Sequence, residues 1–481
     1  SDPDLAVVVN RRLGLWLSLT LLLFTAACSS GSSSARPPRT PAPTSRAPVP
    51  PTTQPAVPPT TEAEPVGPDG VPAPQSWLGI IDDRGSVVAV TPDGGQRLTF
   101  SPPADVGRGI SSSIPSWSHD GSRLAWTETN RAEGPSVVTS RVDRRETTRD
   151  PLPLEPFYVS WNPTDTHIAV LGHSATGRGV GVAVSELADR NTLPVELDAA
   201  PSYYLSWAAD GEQFLAKRGI ADLTVVGIGG RSTVLVEPTG RGQAPIWLED
   251  GRLIGIEATD RSRALVIASS GQVIGSVLET DPAVGMVFTA DPTGRWLAIQ
   301  ALAAESLLDP AKDAIRSSDG SEPEGELLIV DLSNGRPVWR TGVRGQSWVW
   351  APDGQSLLIL TTEGPNDEGP LIVDSVIWHL PTAGSGEEPD LISGPSFEPT
   401  DRFVQEWMPF FDQYVQDMTL WSPDSSGWTF AGRPVGDREG QPGIHVVGAG
   451  PGDEPVRVGD GQMSVWAPTA GGGGGAAPSP A

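Results

Sequence analysis

The sequence predicts an all-β fold, a β-propeller of about eight four-stranded blades, and three observations predict it. A five-residue motif opening on tryptophan recurs at the spacing of a propeller blade. Each full copy is followed by a second strand pair around a polar turn. The repeated region also starts and stops on half-units that complete one another.

The motif reads Trp117-Ser118-His119-Asp120-Gly121, Trp161-Asn162-Pro163-Thr164-Asp165, Trp207-Ala208-Ala209-Asp210-Gly211, Trp247-Leu248-Glu249-Asp250-Gly251, Trp350-Ala351-Pro352-Asp353-Gly354 and Trp421-Ser422-Pro423-Asp424-Ser425, with a truncated Trp466-Ala467-Pro468. A degenerate copy, Ala290 to Gly294, keeps the phase and loses the tryptophan. The early spacings are roughly 40 to 46 residues. Asp-Gly supplies the positive backbone dihedrals of a tight turn between antiparallel strands, and the tryptophan before it is a large apolar wedge between neighbouring blades. After each motif comes a short apolar strand, such as Arg123-Leu124-Ala125-Trp126 or Ser356 to Leu360.

Eight hairpins follow the same rhythm, from Ser86–Phe100 at the front to Ile444–Val458 at the end. The first has only Trp77 to Ile81 before it, and the chain finishes its repeats on Ser464-Val465-Trp466 with no hairpin behind. Joining these ends closes the ring and removes exposed sheet edges. The count is seven if one degenerate copy is a loop.

Trp-Ser-Pro-Asp-Gly repeats with this hairpin resemble those of TolB-like propellers, the periplasmic family described as WD40-like with a Pro-Asp motif. The resemblance covers nearly all of Trp77 to Pro468. It implies a fold and no activity, because the motif residues turn the chain and pack blades. TolB itself has six blades and a separate amino-terminal domain, so its partners do not carry over to a chain with more repeats and a proline-rich stalk.

Residues 1–28 read as a lipoprotein signal peptide. Arg11 and Arg12 precede an apolar run, Leu13 to Phe24, too short for a comfortable membrane span. Thr25-Ala26-Ala27-Cys28 follows, and small residues before a cysteine resemble the lipobox of bacterial lipoproteins. That resemblance implies lipidation of Cys28, the chain's single cysteine, and a membrane partner through the acyl anchor on the extracytoplasmic face. Residues 29–75 are nearly all Ser, Pro, Thr, Ala and Arg, a tether unable to bury enough surface to offset its ordering entropy. The propeller occupies 76–470, and 471–481 is a Gly/Ala/Pro tail.

Lys and Arg total 33 against 59 Asp and Glu, a formal charge of −26, which repels nucleic acid and argues against it as a partner. No intramolecular disulfide can form with one cysteine. The five histidines, His119, His167, His173, His379 and His445, sit in different repeats without ligand spacing, so no metal and no cofactor are expected. Gly172 to Thr176 is one glycine short of a nucleophile elbow. No phosphate-binding glycine loop or metalloprotease motif is present, and no catalytic residue is assigned.

Two insertions break the period. Leu308 to Glu326 is acidic and rich in small residues. Ile392 to Leu420 crowds Phe403, Trp407, Phe410, Phe411 and Tyr414 together, with spacings that suggest a short helix from about Asp401 interrupted at Pro409. These aromatics are the candidate partner-binding surface; the competing reading is a plug over the channel or a blade edge. The expected function is a monomeric, lipid-anchored binding or scaffolding module for an envelope protein or glycan. The alternative is a propeller enzyme of lyase or lactonase type acting on sugars with a channel-bound metal.

Overall fold

A computed structural model describes residues 76–468, apart from 144–145, 175–178, 189–190, 195–198, 230, 241, 243, 269, 282–283, 304–324, 364–369, 382–387 and 438. The signal peptide, Cys28, the tether, the tail and nearly all of the acidic insertion therefore lie outside the described residues. None of the described helices is long and apolar enough to cross a membrane.

The described chain is an up-and-down succession of antiparallel sheets, and almost every first strand ends at a motif tryptophan. The first sheet holds Leu78–Ile81, Val87–Val90 and Arg97–Thr99, and its fourth strand is Met463–Trp466 from the far end of the chain, with Leu78 opposite Trp466 and Ile81 opposite Met463. The second sets Ser111–Ser112 and Ser116–Trp117 against Arg123–Thr129, then adds Ser136–Arg141 and Thr147–Pro151. The third is Leu154–Trp161, His167–Ser174, Val180–Glu186 and Asn191–Pro194; the fourth is Tyr203–Trp207, Gln213–Arg218, Asp222–Gly227 and Ser232–Val236. The fifth is Ile246–Trp247, Leu253–Ala258, Ser262–Ile267 and Val273–Thr280; the sixth is Val284–Ala290, Trp296–Ala303, Leu328–Asp331 and Arg336–Arg340.

The last two groups depart from the expectation of separate four-stranded units. Ser347–Trp350, Ser356–Glu363, Ile372–His379 and Asp390–Ser393 form a seventh group. Phe397–Pro399, Gly427–Pro434, Gly443–Gly448 and Val456–Gly459 form an eighth. A single pair, Val373 opposite Phe397, joins them into one eight-stranded sheet. In the eighth group the first strand is broken: Phe397–Pro399 pairs with the far end of Gly427–Pro434, Trp421 bridges Trp428, and residues 400–419 loop out between them.

The motif's turn chemistry takes the expected form. Asp120, Asp210, Asp250, Asp353 and Asp424 each accept, through a carboxylate oxygen, the backbone N–H two residues on, at 2.8 to 3.1 Å. Gly121, Gly211, Gly251 and Gly354 follow with φ between 67° and 85°. A Cβ on Gly211 would lie 2.6 Å from the Asn162 amide nitrogen, so this position needs glycine for space as well as for φ.

Two copies put another residue at that left-handed position, Asp165 at φ 55° and Ser425 at φ 60°. Both side chains reach the turn of the preceding sheet. The Asp165 carboxylate accepts the N–H groups of His119 at 2.8 Å and Asp120 at 3.0 Å, and Ser425 Oγ accepts that of Asp353 at 3.0 Å. The strain of a non-glycine residue there is offset by a bond between sheets.

The tryptophans do more than fill space. Trp161 donates its indole N–H to the Ser116 carbonyl at 3.2 Å, Trp207 to Ser160 Oγ at 3.0 Å, Trp350 to the Thr289 carbonyl at 3.1 Å and Trp421 to the Val349 carbonyl at 2.9 Å. Each acceptor is the residue immediately before the first motif position of the preceding sheet, so one buried ring packs and hydrogen-bonds across each of these junctions.

Candidate functional site

Residues 400–419 contain the five aromatics that the sequence marks as a partner-binding surface, and the structure removes most of that surface. Phe403, Trp407, Phe411 and Tyr414 are buried, and only Phe410 is exposed, at 44%. Trp407 stacks on Phe403 with ring centroids 5.4 Å apart, Phe403 meets Phe397 at 5.7 Å, Phe411 packs edge-on to Trp348 at 4.6 Å, and Tyr414 meets Tyr158 edge-on at 5.1 Å. Aromatic density marks a packing site here, because the insertion points inward among the first strands.

The chain is helical from Asp401, passing through a wide turn at Phe403–Trp407 and a tighter one at Met408–Phe410 into the short helix Phe411–Tyr414. The change at Met408–Phe410 follows from Pro409, which has no N–H to continue the ladder.

The polar side chains of this segment explain why it sits where it does. A first strand pairs on one side only, so its other edge shows unpaired N–H and C=O groups, costly if buried without partners. Gln413 answers both groups of Leu205: its Oε1 accepts the Leu205 N–H at 2.7 Å and its Nε2 donates to the Leu205 carbonyl at 2.9 Å. Asp412 Oδ2 accepts the Ala244 N–H at 2.7 Å, Gln416 Nε2 donates to the Pro245 carbonyl at 3.1 Å, and Arg402 Nη2 donates to the Ser112 carbonyl at 3.0 Å. Thr400 Oγ1 donates to the Gln462 carbonyl at 2.6 Å, and the Tyr158 hydroxyl donates to Asp417 Oδ2 at 2.5 Å. Residues 400–419 thus form a plug whose side chains take the place of missing ladder partners.

Burial within the plug moves several titrations. Desolvation pushes the Asp412 carboxyl up to about 7, against the backbone N–H of Ala244 and the charge of Lys217, which favour the anion. Its Oδ1 has no partner among the described residues. Desolvation likewise raises Asp417 to about 6, opposed by the Tyr158 hydroxyl and the charge of His119. Lys217, 2% exposed, is lowered to about 8 by burial, and its ammonium donates to the Gly219 carbonyl at 2.6 Å and the Gly242 carbonyl at 3.0 Å. Burial works against the charged form of His119, but the hydrogen bond to Asp165 and the charges of Asp417, Asp165 and Asp120 outweigh it and raise its pKa. Spacing in the sequence carries no signal for these groups, because Gln413 and Leu205 stand 208 positions apart.

The histidines remain dispersed. His119 Nδ1 lies 3.1 Å from Asp165, His167 beside Thr166 and His379 beside Ser356 at 2.9 Å each, His173 packs on Phe157, and His445 stacks on Phe430 at 5.1 Å. Among the described residues no group of three or more His, Cys, Asp or Glu is placed to hold a metal ion.

No family model and no curated protein matches the chain. Among solved structures it is similar to a eukaryotic initiation factor at 10% identity and a TM-score of 0.46, over 82% of this chain and 99% of that one. An oligogalacturonate lyase in complex with manganese matches at 14% identity and 0.45, over 78% and 96%. TolB from Acinetobacter baumannii matches at 12% identity and 0.36, over 80% and 79%. Likenesses at this level say nothing of activity. The strand pairings themselves make the described chain a β-propeller module.

Proposed function

We propose that this chain is a lipid-anchored extracytoplasmic binding module: a closed ring of about eight blades, carried from Cys28 on the stalk 29–75 and presenting its outer surfaces to a protein or glycan of the cell envelope. The observation that carries the reading is the plug. Gln413, Asp412, Gln416 and Arg402 bind the inner strand edges, so the chain itself fills the space where a ring would otherwise converge catalytic groups. This favours recognition at the rim over the channel-bound metal of a lyase or lactonase. Pairing of Leu78–Ile81 with Met463–Trp466 supports closure, and eight successive strand groups support the blade count. The acidic charge of −26 supports a partner other than nucleic acid or bare anionic lipid.

The test is fractionation with photo-crosslinking in intact cells. Wild type is expected in the membrane fraction and Cys28→Ala in the soluble one. A crosslinker replacing exposed Val456 or Ile220 is expected to trap one defined envelope component, whereas one replacing buried Met418 traps none. Membrane retention of Cys28→Ala would overturn the anchor, and equal trapping from Met418 would overturn the rim.

A further inference from the structure

A groove of about 580 Å³ lies between the fifth and sixth sheets. Its walls are the outer strand of the fifth sheet at Ile274 and Ser276, the turn at Thr293–Arg295 and the turn at Leu332–Gly335. This volume lies within the range of small-molecule sites. In a chain of formal charge −26, two arginines and no carboxylate line it among the described residues.

The two arginines differ in their commitments. Arg252 is built into the wall: its Nε donates to Asp250 at 2.7 Å, Nη1 to the Leu332 carbonyl at 2.8 Å and Nη2 to the Gly294 carbonyl at 2.9 Å. Arg295 is exposed, with its guanidinium 4.4 Å from the Trp296 ring centre, and makes no ion pair or side-chain hydrogen bond with any described residue. Stacking on a buried ring holds the fork in place and leaves its N–H groups free. Ser276, Ser333 and Asn334 add exposed hydroxyl and amide groups, and Ile274, 55% exposed, adds an apolar strip.

We infer that this groove binds a carboxylate-bearing saccharide, its carboxylate on the Arg295 guanidinium, its ring hydroxyls on Ser276, Ser333 and Asn334, and a C–H face on Ile274. A planar guanidinium matches a carboxylate through two parallel bonds, and a mixed hydroxyl, amide and apolar lining matches a sugar ring. The inference rests on the binding-module reading and names the glycan class within it.

Titration calorimetry on the full chain tests it, with a glucuronic acid oligomer, a neutral glucose oligomer of equal length and an acidic peptide as probes. The uronate oligomer is expected to bind saturably and the neutral one not to bind. Arg295→Ala is expected to weaken uronate binding about tenfold. Arg295→Lys is expected to weaken it less, and the distant exposed Arg131→Ala to leave it unchanged. Thermal melts check that each variant is folded. Absence of uronate binding, equal weakening by Arg131→Ala, or tighter Arg295-dependent binding of the acidic peptide would each overturn the inference. None of these results alters the envelope-crosslinking outcome, so the groove and the binding-module reading fail separately.

Discussion

Junctions hooked by a motif tryptophan differ from the junction strapped by Arg252, and the difference shows what the tryptophan is for. Where Trp161, Trp207, Trp350 and Trp421 are present, the ring is buried and its N–H reaches a fixed position on the preceding sheet. At the fifth sheet Trp247 is only half-buried and links back through its backbone N–H, 2.9 Å from Ser206 Oγ. At the sixth, Ala290 supplies no ring, and Arg252 spans the junction to two carbonyls instead. The apolar packing differs as well: Ile254 of the fifth sheet joins Met286, Phe288 and Leu297 of the sixth in one cluster across this junction, separate from the larger one that carries the hooked tryptophans. This junction is packed by apolar side chains and strapped at its turns by Arg252, and the 580 Å³ groove lies beside the strap.

The largest expected contrast is between one hook and the strap. Trp421→Ala removes a fully buried ring and its hydrogen bond to the Val349 carbonyl, and should cost about 3–5 kcal/mol in urea unfolding. Arg252→Ala loses three hydrogen bonds from a partly exposed side chain and should cost about 1–3 kcal/mol. Equal costs would mean that the two kinds of junction are equivalent.

The plug compensates the weaker side, since Asp412 and Gln416 both bind just ahead of the fifth sheet's first strand. Its strength should depend on pH. Burial raises Asp412 and Asp417 in the folded chain above their unfolded values, so their contribution is whole below about pH 4 and is lost as pH rises through about 6 and 7. Lys217, lowered by burial, runs the other way and loses its contribution as pH falls through about 8. Intrinsic-rate-corrected hydrogen exchange in 401–418 should be about tenfold faster near pH 7.5 than near pH 5. Asp412→Asn should flatten that dependence; an unchanged profile would show that the plug does not depend on this carboxyl.

The smallest expected effects concern the left-handed positions. Asp165→Gly gives up two backbone hydrogen bonds and the His119 ring contact to the second sheet's turn but relieves a strained φ, for a net cost of about 1 kcal/mol. Ser425→Gly gives up one bond and should be near neutral by the same denaturation measurement. A cost for Asp165→Gly as large as for Trp421→Ala would make the turn, and not the ring, the main link between sheets.

The local sequence by itself determined the units. Asp-Gly turns, the strands they join, the recurrence of tryptophan and the pairing of the two chain ends all follow from residues a few positions apart or from a fixed period, and such short-range chemistry is written directly in the residue order. Only the tertiary structure decided what the aromatic insertion does. Phe410 and Phe411 are neighbours of one kind, yet one is exposed and the other buried against Trp348. The difference depends on first strands far away in the chain, whose unpaired edges call for the side chains of Gln413, Asp412 and Arg402. The same holds for the groove: that Arg252 bridges the junction while Arg295 stays free on Trp296 depends on where separate turns and an outer strand meet.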